Sequence, residues 1–245
     1  MRFACFCFTL ALAFTCGVGA KPEKRQVRFF ALGEIPPFRQ EVRDNVRYEL
    51  EPPPGSIPPR EVLVGFGRGA PEATPLRLGQ ISPPLPVPTG SGPLLVARRG
   101  DAADVEPWLR LTRPEVGDFL VLLWRDPKAG TWEKARSLVV SDDPGSAPAG
   151  SVRFINVSPA PVGIVLGEEK LILEAGKLFS RTVAVGEERV FHVLLPDTTG
   201  QPKRLHSGVI LQNPGERSLV LVYRADGEAS RRPLKVSVHR EPVRE

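Results

Sequence analysis

The sequence predicts an all-β protein made of two tandem antiparallel β-sandwich domains of the immunoglobulin-like (Ig-like) type. Two apolar runs indicate a duplication, because residues 120–125 (LVLLWR) and 219–224 (LVLVYR) carry nearly the same letters. Short β-prone segments alternate with turn-forming residues at spacings of about ten residues. In the second half of the chain no segment holds apolar residues at positions i, i+3, i+4 and i+7, so helices are not expected there.

Residues 1–20 have the composition of a secretory signal peptide. Arg2 precedes an apolar run at residues 3–14, and Val18-Gly19-Ala20 offers a small-residue cleavage site. The run is too short for a permanent membrane-spanning helix, so we expect no transmembrane segment in the mature chain. We therefore expect an exported protein, periplasmic or extracellular after cleavage near Ala20.

The cysteines support the same interpretation. All three, Cys5, Cys7 and Cys16, lie inside the signal segment. The mature chain would contain no disulfide and no thiolate metal site, so packing must stabilise it. Lipidation of Cys16 is an alternative, which the lack of a small residue directly before that cysteine disfavours.

The first domain is expected at residues 26–141. Fourteen of the 27 prolines lie between Pro36 and Pro93. Proline lacks the backbone N–H and fixes φ, so these segments are expected to be loop insertions or sheet edges. Strands are expected at residues 26–32, 46–50, 61–64, 93–96, 105–111, 119–125 and 131–140.

Residues 142–150 (DDPGSAPAG) have the composition of a linker without an apolar anchor, and the second domain is expected at residues 151–240. Val27 and Val152 open the two domains 125 positions apart, whereas Leu120 and Leu219 are 99 positions apart. The first domain therefore holds about 26 additional residues. Strands of the second domain are expected at residues 152–157, 162–166, 170–174, 179–185, 189–195, 204–211, 218–224 and 234–239.

The second domain opens with Arg153-Phe154-Ile155-Asn156-Val157-Ser158-Pro159. This segment resembles the R-F-x-N-x-S-P opening of small secreted bacterial β-sandwich modules. The whole layout, a signal peptide followed by two β domains, is similar to that of exported bacterial proteins. The resemblance implies a fold and an exported location, and it transfers no catalytic residue. The first domain retains only Val27-Arg28-Phe29 of the motif.

Catalytic and cofactor motifs are not found. Ser91 stands in Gly90-Ser91-Gly92-Pro93, where the proline prevents the helix that a nucleophile elbow requires. Residues 65–69 (GFGRG) lack the glycine spacing of a phosphate loop. Acidic and basic residues alternate, so the formal net charge of +5 does not indicate a nucleic-acid surface. We expect no enzyme, no cofactor and no nucleic-acid partner.

Metal binding would have to use histidines. His192 and His206 lie in neighbouring predicted strands and could meet, with Asp197 as a third ligand. Strand histidines are more often surface residues without a metal. These two are therefore weak candidates for a metal site.

Tryptophan is the remaining candidate for ligand binding. Trp124 corresponds to Tyr223 inside an apolar run, so we expect it to pack in the core. Trp132 has charged neighbours at Glu133 and Lys134, so it is the tryptophan expected to be exposed. An exposed indole can stack on a sugar ring.

The sequence thus predicts an exported, noncatalytic binding or cell-envelope structural protein, whose partner would be an envelope protein or a polysaccharide. A carbohydrate-binding module that uses Trp132 is one alternative. An enzyme or metalloprotein whose site forms only in three dimensions is the other.

Overall fold

A computed structural model describes residues 25–67, 69–101, 106–197, 199–227, 230 and 232–243. These residues form strands and loops and no helix, which confirms the predicted all-β class. Accordingly, no helix in the described part of the chain could span a membrane. The predicted signal segment, residues 1–20, lies outside the described residues.

The strands are β1 Gln26–Leu32, β2 Gln40–Arg43, β3 Val46–Glu49, β4 Glu61–Gly65, β5 Glu72–Pro75, β6 Leu85–Pro86, β7 Pro93–Arg98, β8 Leu109–Thr112, β9 Phe119–Arg125, β10 Ala135–Ser141, β11 Ser151–Asn156, β12 Val162–Leu166, β13 Glu169–Leu173, β14 Leu178–Thr182, β15 Glu188–Pro196, β16 Pro202–Leu211, β17 Glu216–Arg224 and β18 Leu234–Pro242.

The strands before residue 142, here called the N-terminal half, form two four-stranded sheets and one hairpin. The sheet orders are β10-β9-β1-β6 and β5-β4-β7-β8, and β2 pairs only with β3. Side chains from both four-stranded sheets, such as Phe29 and Val64, share one apolar core. The prolines of β5 and β6 lie in edge strands, where a missing N–H is tolerated.

The strands after residue 150, here called the C-terminal half, repeat this arrangement. Their sheet orders are β18-β17-β11-β14 and β13-β12-β15-β16, with Phe154 and Ile164 in the shared core. Every four-stranded sheet of one half has a counterpart of the same connectivity in the other. The offset between halves is 125 positions at Phe29 and Phe154 but 100 at the first apolar residues of β4 and β12, Val62 and Val162. The additional residues therefore lie between β1 and β4, where the β2–β3 hairpin stands.

The strictly antiparallel arrangement expected from the sequence is wrong for two strand pairs. β1 runs parallel to β9, and β11 runs parallel to β17. In each half the chain passes through the opposite sheet before it returns, and this crossover allows the parallel alignment. A short apolar run specifies a buried strand but not the direction of its neighbour.

The two halves pack through the sheets that contain β1 and β11, and we call this contact the junction. Its core joins side chains of both halves, including Phe30 and Leu122 from one and Ile155 and Leu221 from the other. The four central strands are therefore buried on both faces. Burial on both faces explains why residues 120–124 and 219–223 are continuously apolar rather than alternating.

The segment at residues 142–150 is anchored, which corrects the prediction of a linker without anchors. Asp142 is buried and Ala147 is fully buried. The Arg217 guanidinium donates to the backbone oxygens of Asp142 and Ala147 at 2.9 and 3.1 Å. The composition of this segment concealed the anchor because it is a charged side chain supplied by β17.

Candidate functional site

The predicted exposure of Trp132 is wrong, because only 2% of its surface is accessible. Trp132 lies in the turn before β10, where strand alternation does not apply. Its backbone N–H donates to the Gly55 oxygen at 2.8 Å, and its ring belongs to the core of the N-terminal half. A buried indole has no free face for a sugar ring, so Trp132 is not a stacking site.

His192 and His206 lie on opposite faces of their sheet. His192 pairs in register with Ser207, and its Nδ1 lies 2.8 Å from the Ser207 hydroxyl. The His206 ring instead packs beside the core residue Phe191, with ring centroids 5.5 Å apart. The two imidazoles therefore cannot share one metal ion.

Asp197, the predicted third ligand, accepts hydrogen bonds from Thr199 and Gln201 within its own turn. Across the described residues, no three His, Cys, Asp or Glu side chains converge as a metal site would require.

The polar residues of the opening motif organise a turn. Asn156 is fully buried, and its Nδ2 donates to the oxygens of Ala160 and Leu173 at 2.8 and 2.9 Å. Its Oδ1 accepts the Ser158 hydroxyl at 2.6 Å. These bonds fix the loop after β11, and they place Ser158 and Pro159 at one end of the junction.

At the other end of the junction lies a buried ion cluster, which we call the arginine cluster. It consists of Arg28, Arg153, Arg217, Asp142 and Glu241. Arg28 of the N-terminal half donates to Asp142 and also to Glu241 of the C-terminal half. Glu241 accepts from Arg217 Nε at 2.9 Å. The cluster therefore connects the two halves through charge-assisted hydrogen bonds.

Electrostatics within the arginine cluster favour the charged forms of Arg28 and Glu241, whereas burial raises the pKa of Asp142 and lowers the pKa of Arg153. Burial opposes the charge of Arg28, but the hydrogen bond to Glu241 and the charge of Asp142 outweigh it and raise the pKa of Arg28. Burial likewise acts to raise the pKa of Glu241, but its bond to Arg28 holds that pKa below the ordinary value. The adjoining cavity, of about 20 Å³, has room for only about one water molecule. The arginine cluster therefore stabilises the junction rather than binding a ligand.

A second ion cluster, the Glu34–Asp226 cluster, lies at the end of the junction near Ser158. Asp226 accepts from Arg125 Nε at 2.6 Å and from the Glu34 backbone N–H at 2.7 Å. Glu34 in turn pairs with Lys235 and accepts the Gly227 N–H at 2.6 Å. Burial acts to raise the pKa of Glu34, but the contacts with Lys235 and Gly227 outweigh it and lower that pKa. Two acids and two cations thus neutralise each other across the junction.

Beside this cluster opens a groove of about 450 Å³ between the two halves, which we call the junction cleft. This volume is in the range of small-ligand sites. A smaller pocket of about 260 Å³ adjoins it and shares Trp124, Asp126, Pro127 and Arg224. The cleft is lined by Trp124, Asp126, Pro127, Lys128, Arg136, Val157, Ser158, Pro159, Ala175, Gly176 and Arg224.

The junction cleft carries an excess of positive charge. Its one carboxylate, Asp126, pairs with Arg136 at 3.2 Å. The Lys128 backbone N–H holds the pKa of Asp126 below its ordinary value. Among the described residues, Arg224 and the Lys128 ammonium have no acidic partner. The cleft therefore presents cations from both halves to solvent.

Trp124 is the aromatic residue of the junction cleft. It packs partly against the junction core and remains half-buried rather than fully enclosed. The repeated aromatic–arginine pairs, Trp124-Arg125 and Tyr223-Arg224, were the sequence signal for this site. They indicated equivalent strands but not that the ends of these strands meet across the junction.

A scan against protein-family models and a search of curated proteins return no match to this chain. The functional interpretation therefore depends on the geometry of the cleft.

Proposed function

We propose that this chain is an exported, noncatalytic binding protein whose ligand occupies the junction cleft. The observation that carries the proposal is the convergence of Trp124 and Lys128 from one half with Arg224 from the other. A half-buried aromatic ring beside solvent-facing cations is suited to ligand contact.

The proposed architecture is a pair of Ig-like β-sandwich repeats, the first with an inserted hairpin. The matched sheet orders and the 99-residue offset of β9 and β17 support it. A binding site at the contact between two repeats is a common arrangement, because the contact creates a concave surface that neither repeat has alone. The signal-like segment at residues 1–20 supports export.

A noncatalytic role fits the residue types in the cleft. None of its lining residues is a histidine. Its hydroxyl group, on Ser158, donates to Asn156 and is buried, so no base is positioned to activate it as a nucleophile. The groups that face the cleft are suited to holding a ligand in place.

A carbohydrate-binding module is the second candidate, with Trp124 in the role first expected of Trp132. The half-buried indole favours it, because the apolar face of a sugar ring packs on an exposed aromatic ring. An envelope structural protein would need no such cleft.

An array printed with neutral saccharides, acidic saccharides and peptides tests both candidates. We expect the parent protein to bind at least one class of saccharide, Trp124→Ala to lose that binding, and Trp132→Phe to retain it. Binding that survives Trp124→Ala would show that the ligand lies elsewhere. Binding to peptides alone would exclude the carbohydrate candidate.

A further inference from the structure

The Glu34–Asp226 cluster and the junction cleft occupy equivalent positions in the two halves. β9 and β17 align with an offset of 99 positions, and β1 and β11 with an offset of 125. Applied to the four charged residues of the cluster, these offsets give four pairs of positions: Arg125 with Arg224, Lys235 with Arg136, Asp226 with Pro127, and Glu34 with Pro159.

Both cations of the cluster have cationic counterparts, whereas both acids are replaced by proline. The four counterparts, Arg224, Arg136, Pro127 and Pro159, all line the junction cleft. The offsets depend on the strand registers alone. The grouping of these four residues in one groove is therefore independent evidence that their positions are equivalent to those of the Glu34–Asp226 cluster. On one side of the junction the chain supplies two carboxylates to two cations, whereas on the other side prolines stand at the positions of those carboxylates and Asp126 pairs with Arg136 alone.

The charge balance of the two sides differs accordingly. Arg125 is neutralised by Asp226 at 2.6 Å. Its counterpart Arg224 is exposed and lacks an acidic partner among the described residues. Arg136 has only the 3.2 Å contact with Asp126, and Lys128 adds a further positive charge. A cation without a partner beside an aromatic ring attracts a ligand that supplies the missing negative charge.

We infer that the junction cleft binds an acidic saccharide chain, whose carboxylate groups take the places that Asp226 and Glu34 occupy in the equivalent cluster. The inference rests on the function proposed above and names its ligand class. The Arg224 guanidinium matches the planar geometry of a carboxylate. The Trp124 indole and the rings of Pro127 and Pro159 offer apolar contact to the pyranose ring that carries the carboxylate.

The backbone around the cleft favours a saccharide over a peptide. Trp124 and Arg224 end central strands, since β9 is paired with β1 and β10, and β17 with β11 and β18. Neither strand offers a free edge along the cleft to which a peptide could add as a further strand. Of the edge strand β10, Arg136 alone lines the cleft, so contact through side chains and ring faces suits a sugar polymer.

Isothermal titration with three matched probes tests the inference. The probes are oligogalacturonate, the same oligomer with its carboxylates methyl-esterified, and an oligoglutamate peptide of equal charge. We expect oligogalacturonate to bind and its affinity to fall by about tenfold or more on esterification, because the ester cannot form the ion pairs. Added salt should weaken the binding of the unesterified oligomer.

Two variants test whether oligogalacturonate binds at Arg224. Pro127→Asp restores the acid found at the equivalent position and should pair with Arg224, so it should reduce oligogalacturonate affinity by about tenfold. Arg224→Gln should do the same without altering the turn at Pro127. Arg60→Gln, which changes an exposed arginine outside the cleft, is the matched control and should leave the affinity unchanged. Thermal denaturation of each variant verifies folding.

Each contrary result has a distinct meaning. Equal affinity for the esterified and unesterified oligomers would overturn the carboxylate inference and leave the proposed binding function intact. Tighter binding of oligoglutamate would overturn the saccharide assignment. If none of the three probes binds, but the protein binds the array and Trp124→Ala removes that binding, the acidic-saccharide inference would be overturned and the proposed binding function would be upheld. Loss of array binding altogether would remove the proposed function itself.

Discussion

Asp142 and Glu241 occupy equivalent positions in the two halves, and both accept hydrogen bonds from the single side chain of Arg28. Val140 pairs with a residue of β9, and His239 pairs with the equivalent residue of β17, 99 positions later. Asp142 and Glu241 follow these two residues by two positions each, so the two acids are also equivalent. Arg28 itself is equivalent to Arg153, another member of the arginine cluster. The junction thus joins matched surfaces of the two halves, as an isologous dimer interface joins two subunits.

The first prediction concerns Asp142. Asp142→Asn removes the carboxylate that pairs with all three buried arginines of the cluster, and uncompensated buried charge is strongly destabilising. We expect the free energy of unfolding, measured by urea denaturation, to fall by about 3–5 kcal/mol. Glu61→Gln breaks the exposed Arg99 pair and should change it by about 0–1 kcal/mol. Equal effects of the two substitutions would show that the arginine cluster does not stabilise the junction.

The second prediction is that acid destabilises the protein in two steps. Burial lowers the pKa of His239 below its ordinary value of 6.5, so folding favours the neutral ring and stability falls as the pH drops below 6.5. The pKa of Glu241 is lower in the folded protein than its ordinary value of 4.5, so Glu241 contributes fully to the free energy of unfolding above pH 4.5. This contribution is lost as the pH falls through the pKa of the folded state.

Substitutions separate the two steps. His239→Gln should reduce the pH dependence of the unfolding free energy near pH 6, and the dependence that remains is expected from His206, whose pKa is also lowered by burial. Glu241→Gln should lower stability at neutral pH and flatten its dependence below pH 4.5. Urea denaturation between pH 7 and pH 3 measures both slopes. Unchanged slopes in both variants would show that neither group is responsible for the acid sensitivity.

The third prediction distinguishes the tryptophans by fluorescence quenching. Trp124 is half-buried beside the cations of the junction cleft, whereas Trp132 is 2% exposed. Iodide should be attracted to the cleft and should quench Trp124 more strongly than caesium does. We expect Trp124→Phe to reduce this difference between the ions and Trp132→Phe to leave it unchanged, and the difference that remains in Trp124→Phe is expected from Trp108, which is half-buried beside Arg98. The opposite outcome would mean that the cleft is not cationic or that Trp124 is enclosed.

The strand positions were largely predictable from the sequence. β1, β9 and β12 have the predicted bounds, because each is a β-prone run ended by turn residues. β5 and β6 were missed because proline argues against a strand, although an edge strand tolerates it. The parallel pairs were missed because strand direction depends on how the chain crosses between sheets.

The candidate site was not predictable to the same degree. Its residues come from strand ends and turns of both halves, and only the packing of the two halves brings Lys128 and Arg224 to one groove. Trp132 was misjudged because charged neighbours in a turn do not report the burial of the residue between them. That prolines stand at the positions equivalent to Asp226 and Glu34 can be recognised only once the strand registers have aligned the two halves.

The last prediction concerns the β2–β3 hairpin, which has no counterpart in the C-terminal half. Among the strands that the structure describes, β2 and β3 pair with each other alone, and Val42, Val46 and Tyr48 are each more than half exposed. The Leu50 N–H bonds the Arg39 oxygen at 2.9 Å, so its two ends lie close enough for a short turn to join them.

Replacement of residues 39–50 by a Gly-Ser turn should therefore change the free energy of unfolding by no more than about 1 kcal/mol, because little apolar surface loses a packing partner. The comparable removal of β12 and β13 should prevent folding, since Ile164 and Leu173 belong to the core of the C-terminal half. Circular dichroism and urea denaturation measure both variants. A loss of several kcal/mol in the hairpin variant would show that the hairpin packs on the protein body, and its exposed apolar side chains would then contribute to stability.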